Sequence, residues 1–237
     1  MIRNQLELSL PVRYDDLSSD MRASTPAMMR YMQHTAIMQS DAIGHSLENL
    51  LAMERCWVML TWDYEEFCRP KVGETVRVNT VAEGFGSCFG YRRFELYGAS
   101  GELYAKAYTV WAFYDIVRSR PARVTPEVAA AYGMEGDAPL RIRPEKIELP
   151  EGAKETERFI IRPRDTDTNH HVNNVRYIEM AMDALPKGAA FSKVKVYYEH
   201  AAVAGDEAVV FCAPNGAGFV VAIRGEDGRN FATVSFL

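Results

Sequence analysis

Two parts of the chain repeat one order of apolar and polar positions. Early on, Pro26 after Thr25 predicts a helix start by cap and first-turn proline. Met29, Met32, Ala36 and Ile37 then share one face at helical spacing, a stripe expected to face a sheet. Strand patterns follow over 57–64, 75–81, 89–97 and 103–113, with Gly98-Ala99-Ser100-Gly101 as a hairpin signal. Later, Asn173 or Asn174 can cap a second helix running to about Asp183. Strands are predicted after it over 194–198, 208–212, 219–223 and 231–236.

The order repeats in residues as well as in pattern. Val12-Arg13-Tyr14-Asp15-Asp16 precedes Met29-Arg30-Tyr31-Met32, and Ile161-Arg162-Pro163-Arg164-Asp165 precedes Val175-Arg176-Tyr177-Ile178. Each reads as a short strand, a polar loop and a helix. The run from Tyr64 through Gly73-Glu74 resembles the run from Tyr198 through Gly205-Asp206, allowing a gap. Gly101-Glu102-Leu103-Tyr104-Ala105 resembles Gly228-Arg229-Asn230-Phe231-Ala232. Matches in the same order along the chain indicate duplication. Between the halves lies a stretch rich in charge and in proline (Pro121, Pro126, Pro139, Pro144, Pro150), read as a linker with one short helix at 126–132.

Composition narrows the classes. The 237 residues are 48% hydrophobic and 25% charged, enough for one large domain or two small ones with cores. A net charge of −5 gives no global case for nucleic acid. No apolar run of about 18 residues is present, so no membrane insertion is expected. Glu7 interrupts the segment a signal peptide would need to be apolar, so a cytoplasmic protein is expected. Cys56, Cys68, Cys88 and Cys212 show no CxxC spacing, which weakens zinc and redox readings and leaves free thiols. No cofactor is expected.

The chemistry concentrates in Asp165-Thr166-Asp167-Thr168-Asn169-His170-His171-Val172-Asn173-Asn174. In an extended segment, alternating Asp167, Asn169 and His171 would share one side and His170 would face the other. Such a set, leading into a helix N-terminus, can surround a polarised carbonyl: Asn donates, His donates or transfers a proton, Asp orients. A simple Asx-rich helix cap is the competing reading. The first-half loop, Leu17-Ser18-Ser19-Asp20-Met21-Arg22-Ala23-Ser24, makes the same connection without His or Asn, which favours one active site in a duplicated fold. Adjacent His170 and His171 point apart and are poor metal ligands, so no metal is expected even with His200 nearby. Glu199-His200 is a second candidate pair. Apolar neighbours Tyr197, Tyr198 and Ala201 can raise the Glu199 pKa and make it a base for water, but taken alone an exposed strand-end acid is the simpler reading.

The run Asp167-Thr168-Asn169-His170-His171-Val172-Asn173-Asn174, continuing to Tyr177, resembles the D-x-N-x-H-V-N-N-x-x-Y signature of the plant and bacterial acyl-ACP thioesterase family. The resemblance extends over nearly the whole chain. It implies an α+β double hotdog, two units each with a long helix wrapped by an antiparallel sheet. The units are expected at 1–120 (acyl-chain binding) and 157–237 (catalytic), with 121–156 as linker. The resemblance implies catalytic roles for Asp167, Asn169, His171 and Glu199. His200 stands where the family often has Cys, which points to direct attack by water. The implied activity is that of an acyl-[acyl-carrier-protein] hydrolase, releasing fatty acid from an acyl-phosphopantetheine thioester on acyl carrier protein. The thioester is expected to enter between the halves. Backbone N–H groups near 172–174 would hold the oxyanion. Met29, Met32, Met59, Trp62 and Trp111 are candidates for the acyl tunnel, although core packing explains each one alone. Arg162, Arg164, Arg176, Lys193 and Lys195 are candidates for a basic rim. An acyl-CoA thioesterase of another hotdog branch and a non-catalytic acyl-thioester binding module are the competing functions. Assembly is left open, a homodimer included.

Overall fold

The computed structural model describes residues 3–134 and 144–237, so Pro139 of the expected linker lies outside the described residues. Contacts divide the chain into two units: Met1–Met59 with Tyr64–Arg143, and Leu60–Asp63 with Pro144–Leu237.

The first unit contains β1 (Gln5–Pro11), α1 (Thr25–Ala42), α2 (Leu47–Ala52), β2 (Arg55–Glu66, apart from its middle, Leu60–Asp63), β3 (Thr75–Phe85), β4 (Phe89–Tyr97), β5 (Leu103–Asp115), β6 (Arg120–Pro121) and α3 (Pro126–Ala131). The strand order is β1-β3-β4-β5-β2, with β6 on β5. Helix α1 lies against β1, β3 and β4. Its Met28, Met29, Met32 and Ala36 are buried there, facing Val76, Val78, Phe94 and Leu96 of a sheet whose β3 alternates buried and half-buried positions. Leu50 of α2 and Val128 and Ala129 of α3 close a second cluster with Phe85, Phe113 and Tyr132. Buried Arg92 donates to Thr80 Oγ1 (3.0 Å) and Gln39 Oε1 (2.8 Å).

The second unit contains β7 (Lys154–Ile160), α4 (Asn174–Asp183), β8 (Lys193–Tyr198), β9 (Glu207–Asn215), β10 (Gly218–Gly225) and β11 (Asn230–Phe236). The order is β8-β11-β10-β9-β7, and α4 packs on β10 and β11. Val175, Tyr177, Ile178 and Ala181 are its buried face. Each unit is the α+β hotdog arrangement, one main helix against an antiparallel sheet.

Hydrogen bonds show how closely the two units repeat. Tyr14–Asp16 and Pro163–Asp165 are both single 3-10 turns. These correct the strands expected at 12–14 and 161–165; the strands are β1 and β7, ending just upstream. In each turn a buried Asp accepts the backbone N–H three residues earlier, Arg13 to Asp16 (2.9 Å) and Arg162 to Asp165 (3.0 Å). In each, the Asp carbonyl then receives the helix N-cap N–H, from Ser24 (2.8 Å) and from Asn173 (3.0 Å). The cap of α1 is therefore Ser24, one residue before the expected Thr25, and its hydroxyl accepts from Ala27 N (3.2 Å). This register places Val175 with Pro26, which shifts the helix pairing read from Met29-Arg30-Tyr31-Met32 by three positions. The hairpins match without a shift: Gly101 N to Gly98 O (3.1 Å) and Gly228 N to Gly225 O (2.9 Å). Gly101 (φ +92°) and Gly228 (φ +82°) hold the left-handed position that each turn needs.

Candidate active site

Residues 166–172 form a closed turn. Thr166 and Val172 are bridged antiparallel, Asp167 N donates to His171 O (2.8 Å) and His170 N donates to Asp167 O (3.0 Å). The Asp167 carboxylate accepts the Asn169 N–H at 2.8 Å, an Asx turn, and His170 takes φ +61°. The expected extended alternation is thus corrected. Asp167 and His171 face each other across the neck and Asn169 sits at the tip. Asn169 and His171 are exposed and Asp167 is half-buried.

The loop is fastened to the chain just past β8. Val172 N donates to Ala202 O (2.9 Å), and His171 bridges Val203. Glu199 and His200 lie on the same connection, so all five residues singled out from sequence belong to this end of the second unit. Among the described residues, neither the His171 nor the His200 imidazole hydrogen-bonds to a protein group, and no His, Cys, Asp or Glu group of three could hold a metal.

Two expectations change here. Glu199 is not raised: the hydrogen bond and charge of Lys146 lower its pKa against the opposing effect of burial, helped by Asn230 and the His200 charge. Its carboxylate is held ionised. Of the N–H groups at 172–174, Val172 is committed to Ala202 and Asn173 to Asp165. Asn174, at the first position of α4, is left as the available donor among the described residues. Arg176 is likewise committed, through Nη2 to Asp165 (2.7 Å) and through Nη1 to Glu179, and is no free rim cation.

The same loop in the first unit keeps the backbone and has neither Asn nor His. Ser18 N donates to Arg22 O (2.8 Å), Met21 N to Ser18 O (3.0 Å) and Ala23 N to Pro70 O (2.8 Å), while Met21 takes φ +62°. Phe67 N donates to Tyr104 O, as Glu199 N does to Phe231 O. Position by position, Asp167, Asn169, His171, Glu199 and His200 correspond to Ser18, Asp20, Arg22, Phe67 and Cys68. Arg69 there ties Asp20 and Glu66 together, and Arg22 reaches the Arg69 carbonyl (2.7 Å).

Tyr177 was not singled out from sequence as a candidate site residue. Its hydroxyl accepts the Ala202 N–H (2.9 Å), and burial pushes its pKa up to about 12, with Asp206 and Asp167 adding to the rise. The first unit has Met28 and Pro70 at these two positions, a side chain without an acceptor opposite a residue without an N–H. Tyr177→Phe should therefore strand a buried donor and cost about 1–3 kcal/mol in denaturant unfolding. Adding Ala202→Pro, which deletes that N–H, should recover part of the loss.

Comparisons with known proteins bear on the fold and the lineage. The profile of the acyl-ACP thioesterase N-terminal domain matches residues 4–132, and that of the C-terminal domain matches residues 149–230. A palmitoyl-acyl carrier protein thioesterase, chloroplastic, from Cuphea hookeriana is 28% identical over 190 residues, 74% of this chain and 45% of that protein. One from Arabidopsis thaliana is 26% identical over 192 residues, 75% and 46% respectively. The chain spans under half the length of these curated relatives. Among solved structures, an acyl-ACP thioesterase from Bacteroides thetaiotaomicron superposes with TM-score 0.85 at 20% identity, covering 98% of this chain and 97% of that one. A 12:0-ACP thioesterase from Umbellularia californica gives TM-score 0.83 at 17% identity, covering 98% and 96%. The structural likeness establishes the double hotdog fold, and the profile matches establish the lineage: the chain belongs to the acyl-ACP thioesterase family.

Proposed function

We propose that this chain hydrolyses fatty acyl-ACP to free fatty acid and the carrier thiol, with the work done in the second unit. The observation that carries this reading is the pair of equivalent loops, one bearing Asp167, Asn169 and His171 and the other Ser18, Asp20 and Arg22. Capping and turn geometry need only the second version, so the added groups answer to chemistry.

In the proposed reaction, ionised Glu199 takes a proton from water, with His200 beside it. The oxygen adds to the thioester carbonyl carbon, and the C=O pair moves onto the carbonyl oxygen. The Asn169 amide and the Asn174 N–H donate to that oxyanion. When the tetrahedral intermediate collapses, the C–S bond breaks and the proton taken up by Glu199 is returned through His171, which accepts it on one ring nitrogen as it gives the proton of the other to the departing thiolate. Asp167 holds Asn169 through its backbone N–H. No cysteine is required: Cys68 belongs to the first unit, and burial raises the Cys212 thiol, which lowers its thiolate fraction. We assign acyl-chain binding to the first unit, whose α1 face supplies buried Met29 and Met32.

Among the described residues no helix is long and apolar enough to cross a membrane. The four free thiols favour a reducing compartment such as the cytoplasm as the place of action.

Acyl-ACP and acyl-CoA of one chain length, compared by kcat/KM for thiol release, test the carrier assignment. The ACP thioester should be the better substrate. Equal or better turnover of the CoA thioester would transfer the protein to the acyl-CoA thioesterase reading.

A further inference from the structure

Both oxygens of Glu199 are held by residues far away in sequence. Lys146 Nζ binds Oε1 at 2.5 Å, and Asn230 Nδ2 donates to Oε2 at 3.4 Å. Lys146 comes from the irregular stretch that runs from Pro144 toward β7, within the segment that sequence alone suggests is only a linker. Its ammonium also lies 6.0 Å from the centre of the Tyr197 ring. Asn230, the first residue of β11, is itself fixed by Thr233, through Nδ2 to Oγ1 (3.1 Å). The Glu199 backbone donates to Phe231 O (3.0 Å), so main chain and carboxylate are both referred to β11.

A pair of this kind adds little to stability. Lys146 is 58% exposed and Glu199 27%, and exposed ion pairs contribute about 0–1 kcal/mol. What the pair does fix is direction. A free glutamate rotates about three side-chain bonds; with one oxygen on Lys146 and the other on Asn230, the carboxylate plane is set, and each oxygen keeps a lone pair for water. We propose that Lys146 and Asn230 are positioning residues that orient the Glu199 carboxylate toward the attacking water, so that the stretch preceding β7 completes the active site. This rests on the assignment of Glu199 as the base.

The charged and titratable groups facing Glu199 are Lys146 and His200, with Tyr197 and Glu148 acting on Lys146. Lys146 lowers the Glu199 pKa. Removing the ammonium therefore raises it, and the protonated, inactive form persists to higher pH. The test is the pH profile of kcat for thiol release from acyl-ACP in Lys146→Met, Lys146→Arg, Asn230→Ala and Glu199→Gln, with unfolding midpoints recorded alongside. Lys146→Met should lower kcat on the order of 10- to 100-fold through misplacement, leave KM and the unfolding midpoint near wild type, and move the acid limb to higher pH. Lys146→Arg should restore both kcat and the limb, and Asn230→Ala should lower kcat without moving KM. Wild-type kcat and an unmoved limb in Lys146→Met would overturn the proposal while leaving the base assignment intact, provided that Glu199→Gln is inactive. Full activity in Glu199→Gln would remove the base assignment and this proposal with it. A raised KM with unchanged kcat and limb would make Lys146 a carrier contact and would also overturn it.

Discussion

Replacing His171 with Ala lowers kcat by on the order of 100- to 10,000-fold, the usual contribution of a positioned acid or base, and leaves the fold intact. The side chain is exposed, and what the loop takes from this residue is backbone: its carbonyl accepts Asp167 N, and its main chain bridges Val203. Alanine keeps both, so unfolding should change by no more than about 0.5 kcal/mol. His170 is the internal control. It stands at φ +61° on the same turn, a left-handed backbone that costs His and Ala alike, so His170→Ala should change unfolding by less than about 1 kcal/mol while kcat falls far less than in His171→Ala. Steady-state kinetics beside denaturant unfolding of both variants decides the matter. A catalytic collapse in His170→Ala together with an active His171→Ala would reverse the assignment.

The largest effect on stability should come from Asp165→Ala, a loss of about 2–4 kcal/mol. Asp165 is 4% exposed and accepts from Arg162 N (3.0 Å) and from Arg176 Nε (3.2 Å) and Nη2 (2.7 Å). Alanine would strand the half-buried Arg162 N–H and leave Arg176 with Glu179 alone, loosening the turn that leads into the loop of Asp167, Asn169 and His171. Burial raises the Asp165 pKa, but the Arg176 bonds and the Arg162 N–H outweigh burial and leave it depressed. The sign follows: the carboxylate stabilises the fold above its unfolded pKa, near 4, and that contribution is lost as pH falls through the folded value. The gap in unfolding free energy between wild type and Asp165→Ala should therefore be widest at neutral pH and shrink below about pH 4. A gap independent of pH would mean that packing, and no ionised group, is what the substitution removes.

Much of the architecture is legible in the chain because hairpins and helix caps are local. Gly98-Ala99-Ser100-Gly101 announces its turn, Asn173 caps α4 through its side chain on Val175 N, and the strand pattern over 89–97 coincides with β4. β1 is also written locally, in alternating Leu6, Leu8 and Leu10, all half-buried. The turn of Asp167, Asn169 and His171 is a subtler case. Alternation of Asp167, Asn169 and His171 suggests a strand, whereas Asp followed two residues later by Asn is equally an Asx-turn signal, and the hydrogen bond from Asn169 N to Asp167 settles the geometry. What sequence cannot supply is register between distant segments. The residue match pairs Tyr177 with Tyr31, yet the shared bonds to Asp165 and Asp16 place Tyr177 opposite Met28. Expecting apolar neighbours to raise Glu199 ignores Lys146, which only the folded chain brings to it.

The central claim is hydrolysis at the loop of the second unit, and single-turnover thiol release measures it directly. Excess enzyme mixed with acyl-ACP should release carrier thiol and free fatty acid in equal amounts. Asn169→Ala, which removes the proposed oxyanion donor, should slow that step on the order of 100- to 1000-fold. Acyl-ACP that binds without releasing thiol, or release that proceeds at the wild-type rate in Asn169→Ala and His171→Ala alike, would contradict it.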